Sequence, residues 1–146
     1  MTHLVALLFF SLSAAAPQPP ATSTGGEMVA RWASYARGER WVSILLRSDL
    51  ERSPEWVESE ETPPLSPRRA VEVARAQMAK VVPDAVAWPL HSIRLLPVGG
   101  PRRWVYIVSF SVPPPTTVGG LAGSPFEIVV LMNGEAVPPT RGLPER

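Results

Sequence analysis

The fold is decided by the stretch Trp104-Val105-Tyr106-Ile107-Val108-Ser109-Phe110-Ser111-Val112, which is the strongest strand signal in the chain. Successive side chains of a strand point to opposite faces. One face therefore carries only apolar side chains, namely Trp104, Tyr106, Val108, Phe110 and Val112. Because burial of such a face removes a large apolar area from water, the pattern predicts a strand inside a covered sheet.

The segment that supplies the cover begins at Ser66-Pro67. Serine is a favoured helix N-cap, and proline suits the first helical position. The pattern predicts a helix from about Pro67 to Val82 that stops at Pro83. Its apolar stripe contains Val71, Ala74, Met78, Val81 and Val82.

Two further strands flank the central one. The residues from His91 to Leu96 alternate, and Phe126 to Met132 is apolar with β-branched residues. Asn133-Gly134 then predicts a two-residue hairpin, in which both positions accept a positive φ, leading to a short strand at Glu135-Ala136-Val137. We expect an α+β fold with one main helix packed on an antiparallel sheet of about four or five strands.

The N-terminal part of this domain leaves two alternatives open. Arg40 to Ser48 is typical of a strand, whereas residues 28–36 suit either a helix or the first strand of a hairpin that turns at Gly38. The second face of the sheet, with Val105, Ile107, Val129 and Leu131, is also apolar. It is either covered by the N-terminal segment or available for association.

The chain start is typical of an export signal. The apolar run from Leu4 to Ala16 contains no charge, is too short to span a membrane and ends in small residues. We expect a signal peptide at residues 1–16, a flexible linker at 17–26, a single domain at 27–137 and a disordered tail at 138–146. The protein is then periplasmic or extracellular, without a stable membrane span after signal cleavage.

Composition excludes several kinds of chemistry. The formal net charge is +1, so nucleic acid is not an expected partner. Without cysteine there are no disulfides, thiolate nucleophiles or cysteine-ligated metals. The mature chain has a single histidine, His91, and we expect neither a metal site nor a cofactor.

Catalytic patterns are weak as well. A nucleophile elbow and a phosphate loop are both missing from the sequence. An unrecognised hydrolase would depend on His91 or Glu127, and we expect no enzymatic activity.

Three features indicate contacts with other groups. The pair Arg102-Arg103 beside Trp104 can grip a carboxylate of a partner. The loop Pro113 to Pro125 is long for a hairpin, and Thr116, Thr117 and Leu121 are its candidate partner-binding residues. Trp56, within an acidic connection, is expected to pin that connection to the domain.

The order of elements resembles the helix-plus-three-strand unit of PepSY-like domains. The resemblance is carried by Ser66 to Ala74, the strand around Ile93, Trp104 to Phe110, and Phe126 to Met132 with Gly134. It implies a small exported or membrane-linked module that inhibits or binds proteases or regulates a partner. A cystatin-like fold has similar elements, but the Gln-x-Val-x-Gly inhibitory hairpin is missing.

Three functions follow as hypotheses. The first is an exported, non-enzymatic binding or regulatory module whose partner is another extracytoplasmic protein. A structural or self-assembling envelope protein and an unrecognised hydrolase are the alternatives.

Overall fold

The computed structural model describes residues 26–113 and 124–142. Its elements are, in chain order, β1 (Met28–Ala36), β2 (Glu39–Leu46), α1 (Arg47–Glu51), α2 (Pro67–Val81), a 3-10 helix (Pro83–Ala87), β3 (Leu90–Pro97), β4 (Trp104–Phe110), β5 (Phe126–Leu131), β6 (Ala136–Val137) and β7 (Thr140–Arg141). The strands form two antiparallel sheets, with the orders β1-β2-β7 and β3-β4-β5-β6. The predicted α+β class with one main helix is confirmed.

The four-stranded sheet lies at the centre of the domain, and α2 covers one of its faces. Every residue of β4 is buried, as its apolar pattern predicts. The core between the helix and the sheet includes Ala70, Ala74, Met78, Trp104, Tyr106, Val108, Phe110, Phe126, Ile128 and Val130. The small alanine side chains let the helix backbone approach the large aromatic side chains of the sheet.

Helix α2 has the expected ends. The Ser66 hydroxyl accepts the Arg69 N–H at 3.3 Å, and Pro67 takes the first helical position. The helix ends at Val81, and the 3-10 helix begins at Pro83. Its buried centre is Ala70, Ala74 and Met78, whereas the predicted stripe residues Val71 and Val81 are only half-buried.

The second face of the central sheet is covered by the hairpin of β1 and β2. Leu45 of β2 and Leu50 of α1 are buried against Ile107 and Val129 of that face. The hairpin alternative for residues 28–36 is therefore the one observed, and the second face is an internal core instead of an association surface. The domain has three layers: helix, central sheet and hairpin.

The turn end of the β1–β2 hairpin reaches the core on the α2 side of the central sheet, where Ala36 and Trp41 are buried. Arg37 and Gly38 both have positive φ, 53° and 77°, as in a type I′ turn. The Trp41 ring contacts Phe126 edge-on at 6.3 Å and belongs to the core under α2. An ion pair between Arg37 and Asp84 attaches the turn to the 3-10 helix.

The turn after β5 differs from the predicted two-residue form. The Gly134 N–H donates to the Leu131 carbonyl at 3.0 Å, and the Leu131 N–H donates to the Glu135 carbonyl at 2.8 Å. Gly134 has φ of +85°, but Asn133 keeps a negative φ. The connection is a three-residue loop with glycine at the left-handed position.

Pairing continues beyond the expected end of the domain at Val137. Thr140 and Arg141 form β7, which pairs with β2 through Val42 and Trp41. The Thr140 hydroxyl also donates to the Val42 carbonyl at 3.2 Å. This differs from the disordered tail expected from residue 138, because local composition does not reveal a distant pairing partner.

A connection without helix or strand joins α1 to α2, and we call residues 52–65 the strap. It lies against the turn between β3 and β4. Among the described residues, the helices are all too short or too polar to cross a membrane.

Candidate functional site

Strand β3 is an outer strand of the central sheet. It pairs with β4 on one side, and residues 26–113 and 124–142 supply no strand on its other side. An outer strand presents backbone N–H and carbonyl groups that can pair with another chain. The free edge of β3 is therefore the first candidate site.

The register shows which backbone groups point outward. The Val98 N–H donates to the Arg103 carbonyl at 2.8 Å, so this pair is hydrogen-bonded. Hydrogen-bonded pairs alternate with non-hydrogen-bonded pairs along an antiparallel ladder. The backbone N–H and carbonyl groups of Arg94 and Leu96 therefore point toward β4. The N–H and carbonyl groups of Ile93 and Leu95 then face outward, and so does Pro97, which has no N–H.

The side chains of β3 suit a partly covered strand. Ile93 and Leu95 pack beside the core under α2 but are only half-buried, and Leu90 is 40% exposed. The strand includes Arg94 and His91 but no acidic residue. A bulge between Leu90 and Ser92 interrupts the pairing with β4, and Pro97 offers no N–H to a strand on the free edge.

A polar cluster lies where β1 meets the sheet. The Ser34 hydroxyl accepts the Glu127 backbone N–H at 2.9 Å. The Glu127 carboxylate accepts from the Arg94 guanidinium and from the Ser109 hydroxyl, the latter at 3.4 Å. These contacts tie the N-terminal hairpin and the outer strand to β5.

The residues weighed for hydrolysis are not arranged as a catalytic pair. Glu127 already accepts from Arg94, and His91 is exposed at the β3 bulge. The His91 side chain makes no hydrogen bond or ion pair with the described part of the chain. Within the same part, no three His, Cys, Asp or Glu side chains are grouped as a metal site.

The predicted partner-binding arginines contact a carboxylate of their own chain. Glu55 of the strap pairs with the Arg102 Nε at 3.1 Å and with the Arg103 Nη2 at 3.0 Å. Arg103 Nη1 also donates to the carbonyls of Leu50 and Ser53, at 2.9 and 2.8 Å. The two guanidinium groups therefore hold a carboxylate of the strap, and their binding of a partner's carboxylate stays a prediction.

Trp56 pins the strap, as expected from its apolar area. Its ring packs edge-on against the Trp104 ring, with 5.2 Å between the ring centroids and an interplanar angle of 72°. Its backbone N–H donates to the Arg102 carbonyl at 3.0 Å. Both indole Nε1 atoms and the Ser53 hydroxyl are buried and have no hydrogen-bond partner among the described residues. The contact between the strap and the β3–β4 turn therefore contains buried polar groups without a hydrogen-bond partner in the described chain.

Tyr106 fixes the far end of the strap. Its hydroxyl donates to the Leu65 carbonyl at 2.9 Å in a buried position. Burial raises the pKa of this hydroxyl above its ordinary value. The strap is thus held at both ends, by Trp56 and by Leu65.

The remaining predicted site residues, Thr116, Thr117 and Leu121, lie outside the described residues. No family model, curated protein or solved structure matches this chain.

Proposed function

We propose that the chain is an exported, non-enzymatic binding module that pairs an extended segment of another extracytoplasmic protein with the free edge of β3. One observation carries the proposal: the outward N–H and carbonyl groups of Ile93 and Leu95 have no strand beside them in the described chain. Strand addition satisfies such groups and draws most of its affinity from main-chain hydrogen bonds.

Burial favours the edge of the central sheet over its two faces as the binding site. Helix α2 covers one face, and the β1–β2 hairpin covers the other. The self-assembly alternative depended on an apolar second face, which is now part of the core. A partner that does not unfold the domain meets the edge of the sheet first.

The charges beside the edge indicate the partner's character. Arg94 and His91 are the only ionisable side chains of β3, and neither is acidic. Leu90 and the half-buried Ile93 and Leu95 add apolar area. We expect an extended segment with apolar residues on the helix side and no required acidic residue, because the Arg94 guanidinium already pairs with Glu127. The resemblance to PepSY-like domains also favours a module that binds another protein.

Selection of short random peptides on the immobilised domain tests the proposal. We expect selected peptides to perturb the amide resonances of Ile93 and Leu95 in a nuclear magnetic resonance titration. Leu95→Pro removes one outward donor and leaves the ladder to β4 intact, so it should weaken binding roughly tenfold. Leu95→Ala truncates the same side chain but keeps the N–H, and it serves as the matched control.

Two results reject the proposal. One is equal binding by Leu95→Pro and Leu95→Ala, because the outward N–H then has no role. The other is a dimer in light scattering that Leu95→Pro dissociates, because a second copy then occupies the edge.

A further inference from the structure

The contact between the strap and the β3–β4 turn has the composition of a protein–peptide interface. Its centre is Trp56 on Trp104, and its rim is the Glu55 carboxylate on Arg102 and Arg103. Buried aromatic anchors and arginines dominate such interfaces. Trp56 is 9% exposed, whereas the side chains of Glu55 and Arg102 are 41% and 61% exposed.

The internal fit of the strap is incomplete. The indole N–H groups of Trp56 and Trp104 and the Ser53 hydroxyl are buried, and the part of the chain that the structure describes offers them no hydrogen-bond partner. Buried donors without partners weaken the contact that contains them. A segment that places a carbonyl or carboxylate oxygen at the Trp104 N–H therefore gains an interaction that the strap lacks.

We propose that Arg102, Arg103 and Trp104 form a second docking surface, whose ligand is a partner segment with an acidic residue followed by an aromatic one. The Glu55-Trp56 dipeptide of the strap is an internal competitor for this surface. The partner's carboxylate replaces that of Glu55 between the two guanidinium groups, and its aromatic ring replaces the Trp56 indole on Trp104. This goes beyond the β3 edge and does not depend on it.

Competition from the strap determines how tightly an outside segment binds to this surface. An internal segment on a short tether has a high effective concentration, so it suppresses binding of the same chemistry from outside. The ion pairs of Glu55 are exposed and contribute little, which leaves the Trp56 ring as the main attachment. Removal of that ring frees the surface and leaves Arg102 and Trp104 in place.

A synthetic peptide with the sequence of residues 53–58, acetylated and amidated, is the probe. We expect it to bind the Trp56→Ala variant at least about tenfold more tightly than the wild type, because the competitor is lost. Replacing the peptide's glutamate beside tryptophan by glutamine, or changing Arg102→Gln in the protein, should each weaken binding severalfold. A peptide with Asp-Phe in place of Glu-Trp should still bind, whereas a scrambled peptide should not.

The proposal is overturned by equal affinity of wild type and Trp56→Ala for the probe, or by binding that ignores Arg102→Gln. If Trp56→Ala does not fold, Trp56→Leu replaces it, because leucine removes the ring contact with Trp104 but keeps an apolar side chain in the core. Tighter binding of the probe by Trp56→Leu than by wild type supports the proposal, and equal binding rejects it. Leu95→Pro should leave probe binding unchanged, which separates this surface from the β3 edge.

Discussion

The Ser34 hydroxyl accepts the Glu127 backbone N–H at 2.9 Å, and this contact joins the N-terminal hairpin to the central sheet. In the described chain, β6 pairs with β5 at Val129 and Val130 only, so this ladder does not extend to Glu127. A side chain of β1 supplies the acceptor that a longer neighbouring strand would supply. Ser34 and Ser109 are both buried beside this contact.

Ser34→Ala should lower the free energy of unfolding by about 1 to 3 kcal/mol, because it leaves the Glu127 N–H without an acceptor. Chemical denaturation of the purified domain measures the change. Ser48→Ala, at an exposed position of α1, is the control and should stay within about 0.5 kcal/mol of wild type. Equal stability of the two variants contradicts the role of Ser34.

Arg37→Asn should raise the stability by a few tenths to about 1 kcal/mol. Arg37 holds φ of 53° in the hairpin turn, and asparagine tolerates that region better than arginine. The lost ion pair with Asp84 is exposed on both sides and contributes little. Asp84→Ala isolates the ion pair, and a larger loss in that variant than the gain in Arg37→Asn would reverse the assignment.

Gly99→Ala should destabilise the domain more than Gly38→Ala does. Both glycines have positive φ, 74° and 77°, so each substitution costs about 1 kcal/mol in backbone strain. At Gly99 the added Cβ also lies 2.8 Å from Leu50 Cδ1 and 3.0 Å from Val29 Cγ1, whereas at Gly38 no atom of residues 26–113 or 124–142 lies within 4 Å of it. Thermal unfolding of the two variants separates strain from overlap, and equal melting temperatures would show that the overlap relaxes freely.

The raised pKa of Tyr106 makes stability depend on pH in the alkaline range. The folded state prefers the neutral hydroxyl, so this contribution is fully present below pH 10 and is lost as the pH rises through the raised pKa. Tyr106→Phe removes the hydrogen bond to the Leu65 carbonyl, so its free energy of unfolding should be about 1 kcal/mol lower than that of the wild type at neutral pH. Above pH 10 its free energy of unfolding should fall less steeply than that of the wild type. Parallel alkaline profiles for the two proteins would contradict burial of this hydroxyl.

The layer of helix and sheet was predictable because its signals are local. The alternation from Trp104 to Phe110 and the Ser66-Pro67 start of α2 each follow from a short window of sequence. The hairpin that covers the second face remained one of two alternatives, because residues 28–36 carry both periodicities. The contact of Trp41 with Phe126 had no local signal at all.

The candidate sites were predictable only in part. The sequence suggested that Arg102 and Arg103 grip a carboxylate of a partner, and it gave no sign that Glu55 of the strap, about fifty residues earlier, pairs with both arginines. Such long-range pairs depend on the tertiary fold rather than on composition. The edge position of β3 was likewise hidden, although Pro97 at its end, with no N–H to donate, is typical of an outer strand.

Amide hydrogen exchange along β3 tests the free edge most directly. In the isolated domain we expect Ile93 and Leu95 to exchange fast and Arg94 and Leu96 to exchange slowly, because only the latter two are directed toward β4. A bound extended peptide should slow Ile93 and Leu95 alone. Uniform slow exchange in the isolated domain, or fast exchange of Ile93 and Leu95 that persists in the complex, contradicts the account.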